Sequence, residues 1–344
     1  MFLVGDVGGT KVRLALYELV DGRLVRRQTE KFMSSDYGGL DEVVRIFLDK
    51  NRTSVTKSCF GVPGPIINGE AHATNLPWTL REEGLRCALG IREVTLVNDL
   101  VATAAAVPHL KTEELFTLYP GKGSKQQERY RQPEQSSGAN EEDAVFGVLA
   151  PGTGLGQAFL SVSQGKRSLW ASEGGHVDFA PTSNIEIELF TYLQSRYGHV
   201  SYERLLSGPG LVNIYQFLKD KGHGTEPPEL QRRLQEEDAS FVISSSGSRG
   251  QYKLCVQALE IFASILGAQA GNMVLTMLAT GGIYIGGGIV VNVYEKLAEG
   301  ITVSAYLRKG RLAHLVEHTP LHIILDDHAA LLGAASLASR DIYS

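Results

Sequence analysis

Between Lys11 and Leu19 the side chains alternate: Val12, Leu14 and Leu16 lie on one face, Arg13, Ala15 and Tyr17 on the other. That period of two predicts a strand. It follows another strand-like run, Phe2–Val7, with only Gly8-Gly9-Thr10 between them. The same device recurs where Val145–Ala150 leads through Pro151-Gly152-Thr153-Gly154 into Gln157–Val162. Each reads as a strand–turn–strand hairpin, and the repetition suggests two related α/β halves facing one another. A third apolar run, Gly282–Ile285, ends in Gly286-Gly287-Gly288.

Elsewhere the period lengthens. Cys255, Leu259, Phe262, Leu266, Ala270, Met273 and Met277 step by three and four, and Gln257, Glu260, Gln269 and Asn272 interrupt the apolar run. This predicts a core-facing helix rather than a membrane span. Helical periodicity also covers Ile185–Tyr197, Leu205–Lys221 and Pro228–Leu234, and His328–Ser339 reads as a helix of small residues. Glu93–Val97 predicts a short strand that ends at Asn98-Asp99, followed by a helix over Leu100–Val107 that Pro108 stops. Gly121–Asp143 has almost no apolar periodicity and reads as a solvated excursion.

Composition narrows the partners. The 344 residues carry a net charge of -5, which argues against a nucleic-acid partner. A phosphorylated small molecule held by main-chain N–H groups and a metal ion remains compatible with that charge. Three separated cysteines, with no CxxC, fit reduced thiols in a cytosolic protein, and Met1 leads into a strand rather than a secretory signal. The 38 glycines cluster at the ends of apolar runs, where backbone groups can approach a ligand.

Main-chain N–H groups at a glycine turn can converge on an anion. A Walker A loop or a dinucleotide fingerprint would do similar work, but both lead directly into a helix, whereas the first two turns here lead into strands. Taken singly, each turn reads as a structural hairpin. Taken together, with Asp6, Thr10 and Thr153 at the tips, they read as a polyphosphate pocket in which Asp6 orients the water shell of Mg²⁺. Asp99, at the carboxyl end of a strand, stands where an α/β fold places its chemistry. Position alone fits a general base and a helix cap equally well. Asn98, Glu173, His176 and Glu203 are groups able to hydrogen-bond a polar ligand, although a lone loop Glu and His usually serve as solvated or capping residues.

Several long stretches resemble one family in the same order along the chain. GDVGGTKVRLAL resembles the first phosphate loop of the hexokinase/actin-like ATPase superfamily. SCFGVPGPIINGEAHATNLPW, LVNDLVATAAAVP, APGTGLGQAFL, SEGGHVDFAP, GHVSYERLLSGPGLVNIY and GGIYIGGGIV are similar to motifs of bacterial glucokinases. The resemblance implies a two-domain actin-like ATPase (ribonuclease H-like) α/β fold with a central cleft. Residues 1–109 and 321–344 would form the small domain and 110–320 the large one, with a polar insertion at 111–143.

It also implies Mg²⁺- and ATP-dependent phosphorylation of glucose at its 6-hydroxyl, with Asp99 as base, in a cytoplasmic homodimer that touches neither nucleic acid nor membrane. Asp6, Gly8, Gly9 and Thr10 would face the phosphates and metal, Asp6 through water. Thr153 and Gly154 would form the second phosphate loop, with Gly154 also close to the sugar, and Gly286, Gly287 and Gly288 would lie near adenosine. Asn98, Glu173, His176 and Glu203 would bind glucose, whereas Asn75 reads better as a structural turn. The family usually has Asn after GGT. Lys11 here gives the GGTK spelling of ROK sugar kinases, yet the chain lacks their cysteine-rich zinc motif. The alternatives are a kinase for another hexose or N-acetylhexosamine, one using polyphosphate or ADP, and a non-catalytic sugar sensor.

Overall fold

The alternating runs at the start become β1 (Phe2–Val7) and β2 (Lys11–Val20), paired antiparallel from Phe2↔Tyr17 to Val7↔Val12. The computed structural model describes residues 1–71, 78–123 and 143–339. They fall into two units: the first comprises Met1–Lys111, Leu169–Ala171 and the chain from Asp326, and the second comprises Thr112–Ser168 and Ser172–Leu325.

In the first unit, β3 (Arg23–Met33), β4 (Lys57–Val62) and β8 (Glu93–Asn98) extend the hairpin into a sheet of order β3-β2-β1-β4-β8. The β1, β4 and β8 strands run parallel. Short strands β5 (Ile66–Ile67), β6 (Glu70–Ala71) and β7 (Leu80–Arg81) make a separate small sheet. Helix α1 (Leu40–Lys50) buries Leu40, Val43, Val44 and Phe47, one stripe at helical spacing, in a core with Leu3, Leu14, Leu16 and Phe60. Helix α2 (Glu82–Leu89) adds Leu85 to that core. The opposite face carries Val4, Ala15, Tyr17 and Cys59, covered by Leu331, Ala334, Ala335 and Ala338 of the C-terminal helix Ala329–Ser339. Its small residues let it approach closely, so the terminal segment seals the sheet begun by the first residues.

The second unit repeats the plan. Strands β9 (Leu115–Tyr119), β10 (Ala144–Pro151), β11 (Leu155–Ser163), β12 (Lys166–Ser172), β13 (Gly282–Ile285) and β14 (Leu321–Ile324) form a sheet of order β12-β11-β10-β13-β14-β9. Strand β14 pairs parallel with β13 and antiparallel with β9, so it belongs to this sheet. The chain therefore returns to the first unit at Asp326 rather than at 321.

The remaining helices, numbered onward in chain order, begin with α3 (Asp99–Ala106) in the first unit. The second unit holds α4 (Asn184–Tyr197), α5 (Gly208–Asp220), α6 (Pro228–Glu236), α7 (Ala239–Ser248) and α8 (Lys253–Met277). It also holds α9 (Gly288–Leu297), α10 (Ile301–Leu307) and α11 (Ala313–Glu317), and the C-terminal helix of the first unit is α12. Helix α8 is long and apolar enough to cross a membrane by length and composition, but 72% of its most apolar window is buried inside the structure. It is a core helix, as its interrupting polar residues indicate.

The run Leu205–Lys221 starts as a helix only at Gly208, because a single helical turn at Tyr202–Arg204 precedes it and Ser207 caps it by accepting from Gly210 N at 3.0 Å. Helix α7 gave no apolar stripe in sequence, being mostly Ser and Gly. Asp238 starts it by accepting from Phe241 N at 3.0 Å. Most of the polar run 121–143, and Asn75, lie outside the described residues.

Candidate active site

The candidate residues fall into one set per unit. In the first, Gly8-Gly9-Thr10 closes the β1–β2 hairpin, with Gly8 N donating to Lys11 O at 2.9 Å. Ser34 braces the turn: its hydroxyl donates to Gly8 O at 2.8 Å and its N–H to Thr10 O at 3.0 Å. Gly9 and Thr10 are exposed, so the tip presents bare backbone and one hydroxyl. Asp6 is half-buried one strand residue behind the tip, opposite Arg13. Burial raises its carboxyl above the usual range, with Asp327 adding to the rise and Arg13 and His328 opposing it.

Arg13 in turn donates to Asp327 O at 2.7 Å and lies 3.4 Å from the Asp327 carboxylate. His328 Nδ1 stands 2.6 Å from Asp327 Oδ1 and 3.3 Å from Asp326 Oδ1. These three residues have the donor set of a cation site. Both Asp327 oxygens are already engaged within the protein, however, so the cluster serves first as an ionic clasp between the hairpin and the C-terminal segment. Sequence reading missed the clasp. The run Asp326-Asp327-His328 was its only local signal.

Strand β8 ends at Asn98, which is the cap of α3. Its Oδ1 accepts from Leu100 N at 3.0 Å and Val101 N at 3.2 Å, while Nδ2 donates to Gly64 O at 3.2 Å. Asp99 is the first helical residue, and its Oδ1 accepts from its neighbour Leu100 N at 2.8 Å. Thr103 Oγ1 donates to Asp99 O at 3.0 Å and steadies the turn from within. Capping falls mainly to the asparagine.

In the second unit Gly152-Thr153-Gly154 closes the β10–β11 hairpin, with Gly152 N donating to Gly154 O at 2.8 Å. Thr153 is exposed at its tip. Glu203 reaches this turn from the single helical turn at Tyr202–Arg204: its Oε2 accepts from Leu155 N at 3.0 Å. A Cβ on Gly154 would sit 2.5 Å from that same oxygen, so a side chain there would displace the carboxylate from the Leu155 amide. His176 Nε2 lies 3.8 Å from Glu203 Oε2. Glu173 and His176 begin and end one tight turn, closed by His176 N donating to Glu173 O at 2.9 Å, and both side chains face solvent.

The third glycine run packs beside the second. Gly287 has φ 97° and its Cβ would overlap Pro151 O, so glycine is required there twice over. Gly286 N donates to Leu149 O at 2.9 Å, and Gly288 begins α9. The second unit therefore gathers Thr153, Gly154, His176 and Glu203 around one turn, with Glu173 on the adjoining one and Gly286–Gly288 alongside. Asp6, Gly8, Gly9, Thr10, Asn98 and Asp99 lie in the first unit on neighbouring strand ends, since β1, β4 and β8 are successive parallel strands.

A sequence model described as Glucokinase matches residues 3–341. A glucokinase of Nostoc sp. is 36% identical over 99% of both chains. The chain belongs to the glucokinase family. Members of this family are kinases that phosphorylate glucose at the expense of ATP, and this chain is such an enzyme.

The solved glucokinase from an Antarctic psychrotroph superposes with a TM-score of 0.81 at 28% identity, covering 98% of each chain. A ROK family glucokinase from Streptomyces griseus, solved with glucose and AMPPNP, has a TM-score of 0.61 at 19% identity over 98% of each chain and shares the fold. That fold is the two-domain actin-like ATPase fold. The GGTK spelling at Lys11 is thus compatible with the family, and the non-catalytic sensor is set aside.

Proposed function

We propose that the chain transfers the γ-phosphoryl group of ATP to the 6-hydroxyl of glucose, forming glucose 6-phosphate, with Asp99 as general base. The Asp99 carboxylate takes the hydroxyl proton as the sugar oxygen attacks phosphorus. The bond from γ-phosphorus to the bridging oxygen breaks and ADP leaves. The amides of Gly8, Gly9 and Thr10 and the hydroxyls of Thr10 and Thr153 hold phosphate oxygens, while Gly286–Gly288 accommodate the adenosine end.

Asn98, Glu173, His176 and Glu203 bind sugar hydroxyls, with Gly154 against the ring. An absent or inverted hydroxyl leaves such a group unpaired, at about 1–3 kcal/mol each. Asp6 would hold Mg²⁺ through coordinated water. It fits that task because it is an oxygen donor in surroundings whose burial disfavours its negative charge, which a divalent cation would offset. The ion, when bound, supplies positive charge to the phosphate oxygens.

The observation that carries this reading is Glu203, whose carboxylate accepts an N–H at the edge of a glycine turn and stands beside His176. One residue ties the sugar set to a phosphate turn. The deciding experiment is an ADP-release assay across a hexose panel with ATP, ADP and polyphosphate as donors. Turnover that needs both glucose and ATP is expected; equal rates with and without sugar would mean an ATPase instead. A cytoplasmic homodimer accompanies this reading, and light scattering of the purified protein tests the dimer.

A further inference from the structure

Lys309, just past α10, carries a half-buried ammonium with no carboxylate within ion-pair distance among the described residues. Its Nζ donates to Ala268 O and to Asn272 Oδ1, both at 2.7 Å, on α8. Burial, with Arg308 beside it, pushes its pKa down to about 8. A residue kept charged against that cost needs a reason.

The hydrogen-bond chain supplies one. Lysine has donors only, so Asn272 must turn its oxygen towards Lys309 and its amide nitrogen away. That nitrogen donates to the Tyr202 hydroxyl at 2.9 Å and to Gln269 Oε1 at 3.1 Å. Tyr202 is buried, packs edge-on to Phe179 with ring centroids 5.5 Å apart, and its N–H donates to Val177 O at 3.2 Å. Phe179 N donates to Val200 O at 2.9 Å. Tyr202 therefore clamps the segment after His176 to the turn that carries Glu203. Gly271 makes the arrangement possible, because a Cβ there would collide with the Lys309 side chain and lie 2.5 Å from Tyr306 O.

We propose that Lys309 is a positioning residue of the sugar pocket, acting through Asn272 and Tyr202 to hold Glu203 and His176 in binding register. This rests on the reading that Glu203 and His176 bind glucose. Lys309→Met should raise KM and the calorimetric Kd for glucose roughly 2–30-fold, while KM for ATP and kcat change less than about 2-fold. Tyr202→Phe should act in the same direction, and the double variant should be no worse than the weaker-binding single one.

Tyr202→Phe leaves Lys309 its acceptor and removes only the hydroxyl that Asn272 contacts, so it should weaken glucose binding while lowering the melting temperature by only about a few degrees. That split separates positioning from mere structural support, and it stands even if Lys309→Met fails to fold. If Glu203→Gln weakens glucose binding but Tyr202→Phe does not, the proposal is overturned. Equal losses for both substrates and in kcat, or multiplicative effects in the double variant, overturn it too. If Glu203→Gln itself leaves glucose affinity unchanged, the sugar assignment falls, and the proposal falls with it.

Discussion

The two glycine hairpins have the same frame and different bracing. In both, the first strand pairs antiparallel with the second and parallel with the next strand of its sheet, and three residues form the turn. The β1–β2 turn is braced by Ser34, a small residue from the adjacent segment, and by its own backbone. The β10–β11 turn is braced by Glu203 and by Gly208, whose N–H donates to Gly152 O at 2.9 Å. One frame thus meets two different sets of neighbours. The first turn follows the strand that carries Asp6, two strands from the one that ends at Asn98-Asp99, and the second is tied to the Glu203 carboxylate.

If that division holds, replacing Asp99 should act on kcat, and replacing Glu173 or Glu203 on sugar affinity. Asp99→Asn should lower kcat roughly 10²–10⁴-fold while calorimetric glucose affinity survives. Normal turnover in that variant would remove Asp99 from its role and erase the contrast. The two sheets also differ in one buried histidine. His322 on β14 is pushed down to about 4 by burial, below the ordinary 6.5, and its Nδ1 lies 3.0 Å from Thr117 Oγ1.

The unfolded chain therefore takes up this proton near pH 6.5 while the native state resists until about pH 4. The stability from keeping it neutral is present above pH 6.5 and lost on acidification across that window, on the order of 3 kcal/mol. Denaturant melts from pH 7 to 4 should show the second unit failing first, and His322→Gln should flatten that dependence.

Smaller effects sharpen the comparison further. Glu173→Gln should weaken glucose binding by about 1–3 kcal/mol with little change in ATP affinity; unchanged calorimetry would detach Glu173 from the sugar. Ser34→Ala removes only the side-chain brace of the first turn. It should cost about 1 kcal/mol of stability in a melt and raise KM for ATP more than KM for glucose.

Much of this was legible beforehand because the signals are local. Period-two alternation in Lys11–Leu19, glycines at strand ends and an Asn-Asp pair before a helix each report on a few neighbouring residues. The helix starts were less legible where the chain uses Ser and Gly, as in α7, because burial by surrounding elements replaces an apolar stripe there. The Asn98-Asp99 pair shows the limit well. Both residue types cap helices, and only the geometry assigns the main capping bonds to Asn98.

The sequence by itself determined the strands, the turns between them and the residue types at their tips, since these follow from periodicity and from what glycine permits. Tertiary structure alone decided that Arg13 clasps Asp327, that Glu203 reaches the Leu155 amide, and that Lys309 is linked to Tyr202 through Asn272. Each of those contacts joins residues far apart in the chain, and a side chain's type does not reveal which distant group will satisfy its hydrogen bonds. Packing of whole elements makes that choice.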